Sequence, residues 1–448
     1  MPELTELLTA WRPLIATLVG VAGLLFLILG RGVNAFAALL VAAMATGLAA
    51  GLAPDAVIGS VQNGFAGVLG FIAVIVGLGA LLGVYLEASG GASALARAIV
   101  GERPAGPASV AMGFVGLVIA IPVFFDVGLI LLFPLVQALS AKAGKPALFF
   151  GLPLLAGLAT AHAFIPPTPG PVAVAELLGA DIGLVIICGL IAGIPAMLVA
   201  GPIFARLADG KGWLAGAIVA PHQAHAQIDR GLAVRAVLAI AVPLGLIVSA
   251  AVAGQFGAEY PAVAFIGHPF VALLIGCGFA SWVLRPRDDV ERARLKDGLS
   301  RALEPTAVIL LVTGAGGAFK QVLVDTGAGE MMAQGFLAFG MGPVIAGFAL
   351  AALVRVAQGS ATVAMLTAAG LCAPLAVQAG LGAWDLARMT IAIAAGASIV
   401  SHVNDSGFWL VSRYFGITAG ETLKTWTVSS TLVGMVGFVV VLLLGLFS

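Results

Sequence analysis

Ser401-His-Val-Asn-Asp-Ser-Gly-Phe-Trp-Leu410 sets an imidazole, a carboxylate and small polar side chains inside a chain that is otherwise apolar. Of the 448 residues only 9% are charged and 61% are hydrophobic, whereas a soluble domain carries about 25% charged residues. On insertion scales a group such as Asp405 costs about 2.5–3.5 kcal/mol to place at membrane depth. Its presence in such a chain points to the handling of a polar or charged solute.

Apolar runs surround this stretch along the whole sequence, among them Leu14–Leu29, Val68–Leu86, Ile182–Phe204, Ala233–Val252 and Val428–Leu446. A span needs about 20 predominantly apolar residues, so the chain is expected to form roughly 11–13 spanning or partly spanning helices. The fold class is therefore an all-α polytopic membrane protein. Barrel strands are excluded because the runs are too long and too uniformly apolar. The leader before the first run is acidic (Glu3, Glu6), unlike a signal peptide. A net charge of zero speaks against nucleic acid as a partner. Cys188, Cys277 and Cys372 stand alone in apolar runs and read as small core residues. No metal-ligand pattern and no cofactor motif is found, and the absence of HExxH, GxSxG and paired carboxylates argues against an intramembrane enzyme.

Charge orients the chain. One loop carries Arg206, Lys211, Arg230 and Arg235, and another carries Arg285, Arg287, Arg292, Arg294, Lys296 and Arg301. Two apolar spans separate them, so both are expected on one side, the cytoplasm by the positive-inside rule.

The halves of the chain resemble each other weakly. Gly77–Gly90 matches Gly314–Gly327 in length and glycine pattern, Pro122–Gly128 falls where the second half has Gln358–Ala364, and His162 with its proline-rich tail answers His402 with its Asn-Asp-Ser-Gly tail. The three pairs share a shift of about 240 residues, as expected of the duplicated halves of a secondary transporter. The expected division is 1–230 and 231–448, forming one integrated membrane domain.

Three polar breaks interrupt the apolar pattern. In His162-Ala-Phe-Ile-Pro-Pro-Thr-Pro-Gly-Pro171 the prolines end any helix. The segment is either a surface loop or an unwound stretch within the membrane, and its lack of charge favours the second. Gln358-Gly-Ser-Ala-Thr362 is either a close helix–helix contact or the start of a half-helix. In the latter case its N–H groups, with the Ser360 and Thr362 hydroxyls, face an anion. Arg355 supplies charge there or snorkels to an interface. The opening motif, with Asn404, Asp405, Ser406 and Gly407, reads as a plain turn or as a binding segment. Asp126 stands alone in the run from Val110 to Val136; it is a proton carrier or a helix cap.

At these motifs the chain resembles the gluconate permease (GntP) family of bacterial inner-membrane carriers. The resemblance rests on Gly64-Phe-Ala-Gly-Val-Leu-Gly-Phe-Ile-Ala73, Pro122-Val-Phe-Phe-Asp126, His162-Ala-Phe-Ile-Pro-Pro167, Arg355-Val-Ala-Gln-Gly-Ser-Ala-Thr-Val-Ala364 and Ser401-His-Val-Asn-Asp-Ser-Gly-Phe-Trp409. It implies proton-driven uptake of a sugar acid. It also implies an ion-transporter architecture of inverted repeats with re-entrant hairpins and broken helices, a scaffold and a mobile transport domain, and a homodimer working by an elevator motion. Where many members read His-Pro after the two prolines, this chain has Thr168-Pro169.

The expected substrate site comprises His162, Pro167, Thr168, Arg355, Gln358, Gly359, Ser360, Thr362, Asn404 and Ser406. Its carboxylate is expected on half-helix N-termini, without a buried counter-charge. Asp126, Asp405 and His402 are the candidate proton carriers, with His162 a further alternative. The rival reading is a sodium-coupled carrier or channel for a similar organic anion, with freed carbonyls binding the cation.

Overall fold

A computed structural model describes residues 2–214, 229–255, 260–328, 331, 342–402 and 405–446. All regular elements among the described residues are helices. Eight are long and apolar enough to cross a bilayer, and the pair Pro261–Gly267 and Pro269–Val283, bent by 62°, makes a ninth if it is one span. Five shorter apolar helices accompany them, as the expectation of spanning and partly spanning helices requires. Helices dominate because lipid offers no partner for a free backbone group.

The element order repeats. Helices Ala105–Ile119, Phe125–Ala143, Leu148–Phe164 and Pro169–Leu178 are answered in the second half by Pro343–Gln358, Ala361–Gln378, Ala383–Ser398 and Ser406–Phe415. The packing repeats as well. Gly157 brings the Leu148–Phe164 helix so close to Ala105–Ile119 that a Cβ there would lie 2.1 Å from the Gly113 carbonyl oxygen. Gly396 does the same in the second half, 2.2 Å from the Phe348 carbonyl oxygen. Small residues at such crossings let membrane helices interlock by van der Waals contact.

The long helices Pro54–Ala88 and Glu304–Asp325 are the counterparts predicted by the Gly77–Gly90 and Gly314–Gly327 match. Gly90 and Gly327 follow their ends with the same φ of 70°, a left-handed conformation that favours glycine. These two helices lie against each other and run antiparallel. Ser60 donates to Asp325 at 2.6 Å, Gly64 meets Gly317 backbone to backbone, and Gly77 faces Leu303. Counterparts that run in opposite directions mean that the halves are inverted relative to each other.

The two basic loops lie on one side, as expected. Arg287 of one donates to Asp229 of the other at 2.9 Å, and Arg235 reaches the Val283 carbonyl at 3.4 Å. The N–H of Leu232, followed by the Arg287 guanidinium, holds the Asp229 carboxyl below the usual carboxylate range. The segment Leu148–Leu178 lies at the centre of the molecule: its most apolar 18-residue window is 89% buried, against 28% for that of Arg230–Gly254. The most enclosed span thus carries the first proline-rich break.

Candidate functional site

The second half supplies most of the polar chemistry. Helix Pro343–Gln358 is 16 residues long, about 24 Å at the α-helical rise. That is short of a hydrocarbon core of about 30 Å. It turns at Gly359, which is left-handed at φ 90°, and the chain starts back as Ala361–Gln378, packed against it. The tip of this hairpin, Gly359-Ser360, lines a cavity within the helix bundle. Ser360 caps the returning helix by accepting from the Val363 N–H at 3.3 Å.

The third break, between Ser398 and Ser406, is held by the final helical segment. Ser401 is fully buried. Its N–H goes to the Ser430 hydroxyl at 3.2 Å, its carbonyl accepts from Thr427, and its hydroxyl accepts the Trp426 indole N–H at 2.8 Å. Val400, next to it, has φ 47°, strained for a β-branched residue. Its N–H is tied to the Thr431 hydroxyl at 3.0 Å. These side-chain bonds replace the ladder that the unwound backbone has lost.

Arg355 and Asp405 meet between these two breaks. The Arg355 Nη2 is 2.5 Å from Asp405 Oδ2, and the side chains are only 4% and 15% exposed. Asp405 also accepts the Ser401 hydroxyl, and its Oδ1 caps the following half-helix by accepting the Gly407 N–H at 3.1 Å. Arg355 is under-used: its Nε and Nη1 are buried and have no partner among the described residues.

Both groups line a cavity of ≈ 680 Å³. Three helix N-termini open into it, at Phe125–Val127, Ala361-Thr362 and Ser406-Gly407. Its wall adds Ala159 and His162, and on the far side Ser398, Trp426 and Ser430. Trp426 packs against Phe125 with ring centroids 5.6 Å apart, so one wall is aromatic. Asp126 lies in the first turn of its helix, which it does not cap, and its carboxylate opens onto the cavity. His162 rests edge-on against Phe124 at 6.2 Å, with Nδ1 buried and without a partner among the described residues. Chemically this is a half-open cavity whose described lining offers one guanidinium, two carboxylates, hydroxyls and an aromatic wall, suited to a small hydroxylated anion.

Of the expected site residues, His162, Arg355, Gly359, Ser360, Thr362, Ser406, Asp126 and Asp405 line this cavity. Pro167 and Thr168 line a separate small crevice with Gly79 and Pro122, and the Thr168 hydroxyl is spent on the Ile165 carbonyl at 2.6 Å. His402 is not among the lining residues; its Nε2 lies 2.9 Å from the Val356 carbonyl oxygen. Asn404 lies outside the described residues, as does the side chain of Gln358. Arg355, expected either to supply charge at this break or to snorkel to an interface, is buried at the cavity wall. The two histidines are not counterparts either. His162 precedes the end of its helix at Phe164, whereas His402 follows the end of its helix at Ser398. The sequence reading missed Ser398, Trp426 and Ser430 of the lining. The signal for Trp426 and Ser430 was present in Thr425-Trp-Thr-Val-Ser-Ser-Thr431, a run of hydroxyls at the head of an apolar span.

Residues 12–447 match the family model described as GntP family permease. The chain belongs to the GntP permease family. This permease is 39% identical over 435 residues to the low-affinity gluconate transporter of Escherichia coli (strain K12), covering 95% of this chain and 97% of that protein. To the Gnt-II system L-idonate transporter of the same organism it is 37% identical over 440 residues, 96% and 98% of the two chains. To the gluconate permease of Bacillus subtilis (strain 168) it is 35% identical over 449 residues, 97% and 99% of the two chains. In fold the permease is similar to the YdaH transporter of Alcanivorax borkumensis, whose crystal structure was described as revealing an unusual topology. The TM-score is 0.60 at 16% identity, over 87% of this chain and 88% of that one. The protein is thus a multi-pass membrane transporter of a family that handles sugar acids, and not an enzyme.

Proposed function

We propose that this permease carries gluconate or a related sugar acid inward across the bacterial inner membrane together with protons. The observation that carries this reading is the Arg355 guanidinium, buried in the wall of the ≈ 680 Å³ cavity with Nε and Nη1 unpartnered among the described residues. A planar fork of N–H donors suits a carboxylate. The helix N-termini at Ala361 and Ser406 add partial positive charge. Hydroxyls of Ser360, Thr362 and Ser406, with Gln358 and Asn404 from the same breaks, are the proposed partners of the substrate hydroxyls. The apolar C–H faces of the substrate lie on Trp426 and Phe125.

Charge arithmetic supports a coupling cation. Among the described residues the cavity wall carries one permanent cation, Arg355, against Asp126 and Asp405. A substrate anion raises the negative count further, and like charges close together in a low-dielectric site are costly. A co-transported proton on Asp126 or Asp405 removes that cost; His162 and His402 are the further titratable groups of the region.

The transport body comprises the elements around the cavity. The antiparallel pair Pro54–Ala88 and Glu304–Asp325 belongs to the scaffold against which it slides as an elevator, in a homodimer. The halves divide near residue 230, with the basic loops in the cytoplasm.

Uptake of radiolabelled gluconate into proteoliposomes tests the reading, with an inward proton gradient or an inward sodium gradient. Proton-driven accumulation, competed by unlabelled sugar acids, is expected. Accumulation driven only by sodium overturns the proton assignment, and no uptake under either gradient overturns the substrate.

A further inference from the structure

We propose that Asp405 is a built-in stand-in for the substrate's carboxylate: ionised, it occupies Arg355 and the half-helix N-terminus, and protonated, it yields both to the incoming anion. This rests on reading the cavity as the sugar-acid site. An anion entering that cavity seeks a guanidinium and free N–H groups at a helix start. Asp405 already holds both, with Oδ2 on Arg355 Nη2 at 2.5 Å and Oδ1 on the Gly407 N–H at 3.1 Å. The Ser401 hydroxyl, itself fixed by the Trp426 indole N–H, points the carboxylate at this position.

Around Asp405 the charged and titratable groups are Arg355 from the hairpin, Asp126 and His162 from the first half, and His402 on its own segment, turned to the Val356 carbonyl. Arg355 is the one permanent cation of the cavity wall among the described residues, and its charge is already matched by Asp405, so a second carboxylate entering while Asp405 is ionised leaves an uncompensated negative charge in the site. In the cycle Asp405 takes a proton from the medium and releases Arg355. The substrate carboxylate binds there, and after its departure on the other side Asp405 gives up the proton and closes back. Substrate and proton then favour each other's binding by the same factor, as linkage requires. That reciprocity is what a symporter needs.

Titration of D-gluconate into the purified permease in lipid nanodiscs, across a pH series, tests this. Wild-type affinity is expected to fall by about tenfold per pH unit once Asp405 ionises. Asp405→Asn is expected to bind tightly with no pH slope, and Asp405→Glu to keep the slope. An Asp405→Asn protein with the wild-type slope overturns the proposal, as does one that has lost affinity at acid pH while still folded. If that variant does not fold, infrared difference spectra of the Asp126→Asn protein serve instead. A protonated-carboxyl band that grows when gluconate is added supports the exchange, and its absence overturns it. A wild-type protein that binds no sugar acid at any pH overturns the substrate reading and, with it, this inference. A flat wild-type profile with tight binding overturns the exchange alone.

Discussion

Trp426 donates its indole N–H to the hydroxyl of Ser401 at 2.8 Å, and that hydroxyl in turn donates to Asp405. The indole is buried at 4% exposure, so its N–H has no alternative in water. Replacing Trp426 by Phe keeps the contact with Phe125 and removes the donor. A lost neutral hydrogen bond is worth about 0.5–1.5 kcal/mol. The expected outcome is a folded protein whose uptake shows a displaced pH profile. An unchanged profile in proteoliposomes refutes the role of the relay.

Arg355 makes a sharper prediction. Arg355→Ala removes a charged fork and leaves Asp405 without its partner, so substrate binding should weaken by about 10- to 100-fold. Arg355→Lys keeps the charge without the planar fork and should fall between. Binding isotherms at a fixed pH check the order wild type, Lys, Ala.

The paired helix crossings predict matched losses. A Cβ on Gly157 or Gly396 would meet a carbonyl oxygen of the neighbouring helix at 2.1 or 2.2 Å, so each helix pair must part. Overpacking of this kind costs about 1–3 kcal/mol. Gly157→Ala and Gly396→Ala should each lower the midpoint of thermal unfolding in detergent. Gly59→Ala is the control, because its Cβ meets nothing within 4 Å and alanine favours a helix.

Asp229 gives a pH dependence outside the membrane. Its carboxyl is held low by the Leu232 N–H and by Arg287. A depressed folded value means that the contribution is present above the unfolded value and is lost as pH falls through the folded one. The tie between the two basic loops should therefore open under acid. The Leu232 amide, 2.8 Å from Asp229 Oδ1, should lose protection from hydrogen exchange there. In Asp229→Asn that protection should be weak and insensitive to pH.

The membrane class and the positions of the polar breaks were legible because composition and helix-breaking residues act locally. Pro166 and Pro167 cannot extend the helix that ends at Phe164, Pro169 is suited to open the next one, and Gly359-Ser360 offers a left-handed turn followed by a cap. Which break faces the solute was not legible. Thr168 looks as polar as Ser360, yet its hydroxyl is consumed by Ile165 and it opens onto another crevice. Trp426 stands far along the chain at the head of an apolar run, and only tertiary packing brings it to Ser401. The match of His162 with His402 failed because the third break is longer than the first, and a constant shift along the chain cannot register an insertion.

The antiparallel pairing of Pro54–Ala88 with Glu304–Asp325 has a further consequence. Rotated by half a turn about an axis between them, either helix falls along the path of the other, like a palindrome read from either end. Helix order therefore gives the two halves the same vocabulary, and the buried pair of Arg355 with Asp405, which the second half alone holds among the described residues, is what tells them apart.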